Sequence, residues 1–102
     1  MSMINTLAHL DRKRLEALCQ QQEVQRLAVF GSALRSDFEP ASDIDILVEF
    51  QPGARVGFAF FMLQDELSAL FGRRVDLNTP AFLGRDIRDT VLAEAETLYV
   101  AA

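Results

Sequence analysis

Apolar residues recur at three- and four-residue steps in three stretches of the chain, a spacing typical of amphipathic helices. These stretches are residues 4–22, 57–71 and 86–97. We therefore predict three long helices, the second of which ends at Gly72, because glycine favours helix termination. The residues predicted to face the core are Leu7, Leu10, Leu15 and Leu18, then Phe60, Leu63, Leu67, Leu70 and Phe71, and finally Ile87, Val91, Ala95 and Leu98.

Shorter segments between the helices have the pattern of β-strands. Residues 26–30 form a short apolar run, and residues 43–50 alternate, so that Asp43 and Asp45 point to the face opposite Ile44. Residues 75–77 predict a very short strand and residues 98–100 an edge strand. Between the first two strands, residues 32–35 predict the first turn of a short helix and residues 36–42 a loop. This alternation predicts an α/β fold with a small mixed sheet and flanking helices.

Composition limits what such a fold can do. The 102 residues are 50% hydrophobic and predict one domain over residues 1–102. Fifteen acidic against ten basic residues give a net charge of −5, so direct nucleic-acid binding, which needs clustered cations, is not expected.

The single cysteine, Cys19, excludes a disulfide framework and is expected to pack as a small apolar group. No apolar run approaches the roughly 20 residues that span a bilayer, and the signal-peptide pattern is missing, so we expect a cytoplasmic protein without membrane contact.

Two aspartates in the clearest predicted strand are the first candidates for chemistry. Asp43 and Asp45 lie two residues apart, so their side chains project from the same face, near enough to share a ligand. Two ionised carboxylates at that separation repel each other unless a cation lies between them. Residues 36–54 contain five acidic residues and no basic one, so no sequence neighbour neutralises the pair. Mg²⁺ prefers such oxygen ligands together with substrate phosphates, whereas the alternative interpretation is a solvent-facing edge of the sheet.

A third aspartate lies in another predicted strand. Asp76 stands between Val75 and Leu77, so its side chain points to the face opposite theirs. If this strand lies beside residues 43–50, three carboxylates converge. Such an arrangement suits two-metal phosphoryl or nucleotidyl transfer, with ions roughly 3.5–4 Å apart. The alternative is that Asp76 is an exposed strand end.

A phosphate-binding turn is predicted where the first strand ends. At Gly31, glycine permits close backbone approach, and the helix predicted to follow offers free N–H donors at its start. The hydroxyl of Ser32 adds a further donor, and Arg35, one turn on, reaches either a phosphate or one of the acids. Ordinary turn chemistry and a surface ion pair are the alternative interpretations of these residues.

Taken together, the two motifs resemble the signature of the DNA polymerase beta-like nucleotidyltransferase superfamily. The run GSALR at residues 31–35 is followed by SDIDILV at residues 42–48. The short length and the segment GRRVDL at residues 72–77 are similar to the minimal, MNT-type members. The resemblance covers essentially the whole chain, with one departure: the family's Arg-Gly-Glu after the Gly-Ser is Arg35-Ser36-Asp37 here.

This resemblance implies an activity and a partner. The residues that match the family's catalytic and metal-binding acids are Asp43, Asp45 and Asp76, the last as a further Mg²⁺ ligand or the general base. The residues that match its phosphate-binding motif are Gly31, Ser32 and Arg35. Members of this type are often encoded beside a helical HEPN-domain RNase toxin, and the resemblance implies an antitoxin that transfers AMP from ATP to a tyrosine of that toxin.

Two other functions stay open at this point. One is a binding module that neutralises its partner by complex formation alone, and the other is a transferase acting on a small molecule or an RNA end. The acidic trio favours catalysis, because a pure binder has no need of mutually repelling carboxylates. Assembly as a homo-oligomer or a hetero-oligomer is open as well.

The second predicted helix begins with an unusually apolar run. Residues 57–62 have the sequence GFAFFM, and Phe58 and Phe61 lie on a face beside the predicted core stripe. We favour a broad buried face. The alternative is an exposed patch that binds a partner or a second copy.

Overall fold

The structure is a computed structural model that describes residues 10–31 and 43–101. Its main elements are α1 (Arg12–Gln21), β1 (Val24–Phe30), β2 (Ile44–Phe50), α2 (Gly57–Phe71), β3 (Val75–Asn78), α3 (Arg85–Glu94) and β4 (Glu96–Val100). A short 3-10 helix, Pro80–Phe82, precedes α3. In the described ranges, none of the helices has both the length and the apolar character needed to cross a bilayer. The predicted short helix at residues 32–35 and the loop at 36–42 lie outside the described residues.

The four strands form one mixed sheet in the order β3–β2–β1–β4, which confirms the predicted fold class. β1 is antiparallel to both β2 and β4, whereas β2 and β3 run parallel. Parallel neighbours require a crossover connection, and α2 supplies it. The register pairs Phe30 with Asp45 and Asp45 with Asp76. The end of β1 and the starts of β2 and β3 therefore meet at one edge of the sheet.

The main hydrophobic core lies between one face of the sheet and the helices α1 and α2. Alternate strand residues enter it because side chains on a strand point to opposite faces in turn. Within the described residues, no polar or charged side chain is buried. The core contains Leu15, Leu18 and Cys19 of α1, Leu63, Leu67 and Phe71 of α2, and Val24, Leu27, Val29, Ile44, Ile46, Val48, Val75, Leu77 and Leu98 of the strands.

The opposite face of the sheet has a smaller apolar area. Ala28 and Leu47 are paired across β1 and β2 and are fully buried, although neither belongs to the main core. The 3-10 helix contacts β2, and Val91 of α3 is buried as well. This face is therefore apolar at its centre, and it leaves room for charged residues toward the edge where β2 and β3 begin.

The structure departs from two of the predicted helices. α1 begins at Arg12, because Asp11 caps it by accepting a hydrogen bond from the backbone N–H of Arg14 at 3.2 Å; residues 4–9 of the predicted helix lie outside the described residues. α3 ends at Glu94 and not at residue 97. The backbone becomes extended at Ala95. From Glu96 onward the chain pairs with β1, and the hydrogen bonds of the sheet satisfy its backbone N–H and C=O groups.

The predicted core stripe of α2 is confirmed, but the broad buried face beside it is not. Leu63, Leu67 and Phe71 are buried, and Phe60 and Leu70 pack partly against them. Phe58 and Phe61 are 87% and 63% exposed. A helix resting on one face of a sheet buries only the stripe that faces the sheet. Ile87, also predicted to face the core, is 57% exposed because α3 buries only Val91.

We expect Cys19 to be chemically silent in the folded protein. Its side chain is fully buried, and burial raises the pKa of the thiol to about 12, so the reactive thiolate is scarce at pH 8. A maleimide should label the native protein only as fast as the protein unfolds, and labelling should rise sharply through the urea transition. Intact-mass spectrometry measures both rates, and rapid labelling without urea would contradict this packing.

Candidate active site

Two aspartates occupy paired positions on adjacent parallel strands. Asp45 of β2 lies in register with Asp76 of β3. The neighbours of Asp76, Val75 and Leu77, are buried in the main core together with Ile44, so both acids point to the other face of the sheet. The prediction that the strand of Asp76 lies beside residues 43–50 is confirmed.

Asp43 lies one residue before β2 and extends the acidic edge. The backbone N–H of the next residue, Ile44, donates to the carbonyl of Arg74 at 2.9 Å, so the two chain segments already run side by side here. The Asp43 carboxylate Oδ2 lies 3.8 Å from Nε of Arg74. Because the Arg74 side chain is 84% exposed, this ion pair holds Asp43 only weakly. The sequence around Asp43 contains no basic residue, and its cationic partner is Arg74, the residue just before β3.

The acids interact electrostatically. The pKa of Asp45 is raised from its ordinary value of 3.8, first by burial and then by the negative charges of Asp76 and Asp43. Asp45 is partly buried, whereas Asp43 and Asp76 are exposed. Asp45, which has the least access to water of the three carboxylates, is therefore also repelled by the other two.

Gly31 places backbone directly against this carboxylate. Its φ is +72°, a conformation that favours glycine, and a Cβ built on it would lie 2.6 Å from Oδ2 of Asp45. The backbone at Gly31 and the acid of β2 are therefore packed so closely that no side chain fits between them. Ser32 and Arg35, the other predicted phosphate-binding residues, lie outside the described residues.

Two residues of α2 that the sequence pattern did not single out hold β3 in place. The backbone N–H of Val75 donates to Oγ of Ser68 at 3.0 Å, and that of Leu77 donates to Oε1 of Gln64 at 3.0 Å. Oγ of Ser68 in turn donates to the carbonyl of Gln64 at 2.9 Å. Because β3 is an edge strand, these contacts satisfy its outward donors on either side of Asp76. The sequence signal for this role is that Gln64 and Ser68 are polar and lie one helical turn apart, beside the apolar stripe of α2.

The donor chemistry of the site fits a divalent cation. Carboxylate oxygens are the ligands that Mg²⁺ prefers, and a cation would relieve the repulsion that raises the pKa of Asp45. In the described part of the chain, no three His, Cys, Asp or Glu side chains are already gathered as a metal-binding group. To share one ion, the side chains of Asp43, Asp45 and Asp76 must therefore turn toward one another from neighbouring backbone positions.

Comparisons with known proteins agree with this geometry. Residues 11–98 match the model of the nucleotidyltransferase domain family. The protein adenylyltransferase MntA of Thermococcus cleftensis is 41% identical over 71 residues, which cover 70% of this chain and 71% of that protein. A solved structure identified as a minimal nucleotidyltransferase is 34% identical, with a TM-score of 0.77 and coverage of 96% of this chain and 97% of the other.

Two toxin–antitoxin structures share the fold. One, determined with AMP-PNP, has a TM-score of 0.68 at 21% identity and covers 90% of this chain and 75% of the other. The second is a complex of an MNT antitoxin with a tri-AMPylated HEPN toxin of Shewanella oneidensis. It has a TM-score of 0.59 at 21% identity and covers 88% of this chain and 70% of the other. At this identity the likeness establishes a common fold.

Removing the charge of Asp45 should stabilise the protein in metal-free buffer. Because the native pKa of Asp45 is raised, its ionised form destabilises the fold above that pKa, and the effect disappears as the pH falls toward 3.8. We expect Asp45→Asn to raise Tm by about 2–4 °C at pH 7 in EDTA, since repulsion from the exposed acids Asp43 and Asp76 contributes about 0.5 kcal/mol.

Thermal melts followed by circular dichroism between pH 4 and pH 8 measure this effect. The gain should shrink toward pH 4. Asp89→Asn, which removes an exposed acid of α3, is the matched control and should leave Tm unchanged. A lower Tm for Asp45→Asn than for wild type at pH 7 would contradict the repulsive arrangement.

Proposed function

The chain belongs to the nucleotidyltransferase domain family, and on that premise we propose that it is an Mg²⁺-dependent protein adenylyltransferase. It transfers AMP from ATP to the hydroxyl group of a tyrosine on a HEPN-type toxin, and in this way it acts as the antitoxin. The observation that carries the proposal is the in-register pairing of Asp45 with Asp76, with the backbone of Gly31 against the Asp45 carboxylate. The name of the relative MntA and the tri-AMPylated toxin in the complex of similar fold support the reaction and the acceptor.

In the proposed reaction the acceptor oxygen bonds to the α-phosphorus of ATP. The bond from that phosphorus to the oxygen bridging it to the β-phosphorus breaks, so AMP is transferred and pyrophosphate leaves. The proton of the hydroxyl moves to a carboxylate, for which we propose Asp76, because it is exposed to an incoming acceptor. Asp43, Asp45 and Asp76 would hold Mg²⁺, which, when bound, neutralises charge on the phosphates.

The turn after β1 is proposed to hold the nucleotide phosphates. At Gly31 the backbone lies against Asp45, so a phosphate bound by this turn would lie next to the metal-binding carboxylates. The side chains of Ser32 and Arg35 are proposed to add a hydroxyl and a guanidinium donor to the same phosphates.

An open edge suits a macromolecular acceptor. Asp43 and Asp76 are both exposed, and Asp45 between them is only partly buried. A protein hydroxyl must arrive on a large body, which needs a site reachable from one side. The exposed acids therefore favour an acceptor that another chain presents over one enclosed in a pocket.

Adenylyl transfer is the direct test of the proposal. Protein incubated with ATP, Mg²⁺ and the HEPN-type product of the neighbouring gene should increase the intact mass of that product by one or more AMP units. Asp43→Asn and Asp45→Asn should each lower the rate about 100-fold or more, as should EDTA, because each removes charge stabilisation from the phosphates. Asp89→Asn should retain the wild-type rate.

Two outcomes would contradict the proposal. Modification by the Asp43→Asn/Asp45→Asn double variant would exclude the carboxylate mechanism. An unmodified toxin that is nonetheless inhibited would favour the binding module over the enzyme.

Gly31→Ala should reduce transfer through the displacement of Asp45. Alanine at either Gly31 or Gly53 adopts a left-handed conformation, which costs about 1–2 kcal/mol of stability. Only at Gly31 does the new Cβ collide with Asp45, since no atom lies within 4 Å of the Cβ position at Gly53. We expect the transfer rate to fall at least about tenfold in Gly31→Ala and to stay near wild type in Gly53→Ala, measured at a temperature where both are folded. Equal losses in the two variants would contradict the close packing.

A further inference from the structure

An apolar patch lies on the outward side of α2, away from the sheet. Phe58, Phe61 and Met62 are 87%, 63% and 51% exposed. Beside them is a shallow depression of about 280 Å³ lined by Gly57, Phe58 and Phe61. Adjacent large apolar side chains exposed to this degree mark interaction surfaces more often than ordinary solvent-facing helix.

Charged residues flank this patch with opposite signs at its two ends. Phe58, Phe61, Met62 and Asp65 fall within an arc of about 100° on the helix, so the acid continues the apolar stripe. Arg55 is exposed just before the helix begins. Within the described residues, neither Arg55 nor Asp65 takes part in an ion pair. Along the chain, the patch is therefore preceded by an exposed cation and followed by an exposed anion.

We propose that this surface binds a second copy of the chain. The two α2 helices would lie antiparallel, related by a two-fold axis that crosses the patch at the level of residue 60 along the helix. Arg55 and Asp65 lie five residues to either side of residue 60 in the sequence, so this arrangement brings each Arg55 toward the Asp65 of the other copy. Phe58 likewise faces Met62 of the other copy, next to the depression at Gly57. A two-fold contact requires a surface complementary to itself, and opposite charges at equal distances from an apolar centre meet that requirement.

The position of the patch favours a second copy over the acceptor of the reaction. α2 has 15 residues, which span about 22 Å. The patch lies in its first half, whereas its last residue, Phe71, leads into β3 and Asp76. The acids also point to the face of the sheet opposite α2. A copy on the patch therefore leaves the acidic edge open, and the inference does not depend on the proposed function.

The mass of the protein in solution tests the contact. Sedimentation velocity between about 5 and 200 µM should show a species of twice the 11.4 kDa chain mass. Phe58→Glu should raise the dimer Kd at least about thirtyfold, because it buries two charges at the centre. Its circular dichroism melt should match wild type, since the side chain is exposed. Ile87→Glu, which changes an exposed apolar residue of α3, is the matched control and should leave the Kd unchanged.

Charge reversal tests the antiparallel arrangement separately from the apolar contact. Arg55→Glu should raise the Kd about three- to tenfold, because it places two like-charged pairs at the ends of the interface. Adding Asp65→Arg in the same chain should restore the wild-type Kd.

Three results would overturn the inference. They are a wild type that stays monomeric up to 200 µM, a dimer insensitive to Phe58→Glu, and a double variant no tighter than Arg55→Glu alone. Loss of toxin binding by Phe58→Glu with a monomeric wild type would assign the patch to the toxin and would equally overturn it.

Discussion

The register between β2 and β3 is the constraint on which the candidate site depends. Strand side chains alternate between faces, so a slip of one residue would turn Asp76 toward the core and Val75 toward solvent. Burial of Val75 and Leu77 opposes that slip from one side of the strand. The hydrogen bonds that Gln64 and Ser68 accept from the backbone of β3 fix its outer edge, which also blocks its pairing with another chain. The helix that connects the two parallel strands therefore aligns their acids as well.

The acidic edge opposes the stability that the core supplies. The core between the sheet and the helices α1 and α2 is apolar throughout, and it includes Cys19, whose thiol is kept protonated by burial. At the edge, repulsion from Asp76 and Asp43 raises the pKa of Asp45, and the only described ion pair there is the exposed one to Arg74. Perturbed carboxylates of this kind concentrate at functional sites, where a bound cation turns the repulsion into binding energy.

Local pattern predicted most of the site, because its determinants are local. The alternation around Asp45 and Asp76 gave their shared face, and the stripe with Gly72 gave the bounds of α2. The α3–β4 boundary was missed because residues 94–97 satisfy helical spacing, and their pairing with β1 is non-local. The exposure of Phe58 and the roles of Gln64 and Ser68 depend on how α2 packs on the sheet. The spacing of apolar residues along the chain does not determine that packing. The contribution of Ser32 and Arg35 stays a prediction.

The most direct test of the central claim is the affinity for a divalent cation, measured with Mn²⁺ by electron paramagnetic resonance in the presence of a non-hydrolysable ATP analogue. If carboxylates from β2 and β3 share the ion, Asp45→Asn and Asp76→Asn should each weaken Mn²⁺ binding at least about tenfold, with unchanged circular dichroism. Wild-type affinity in Asp76→Asn would contradict the account, because the ion would then be held without β3.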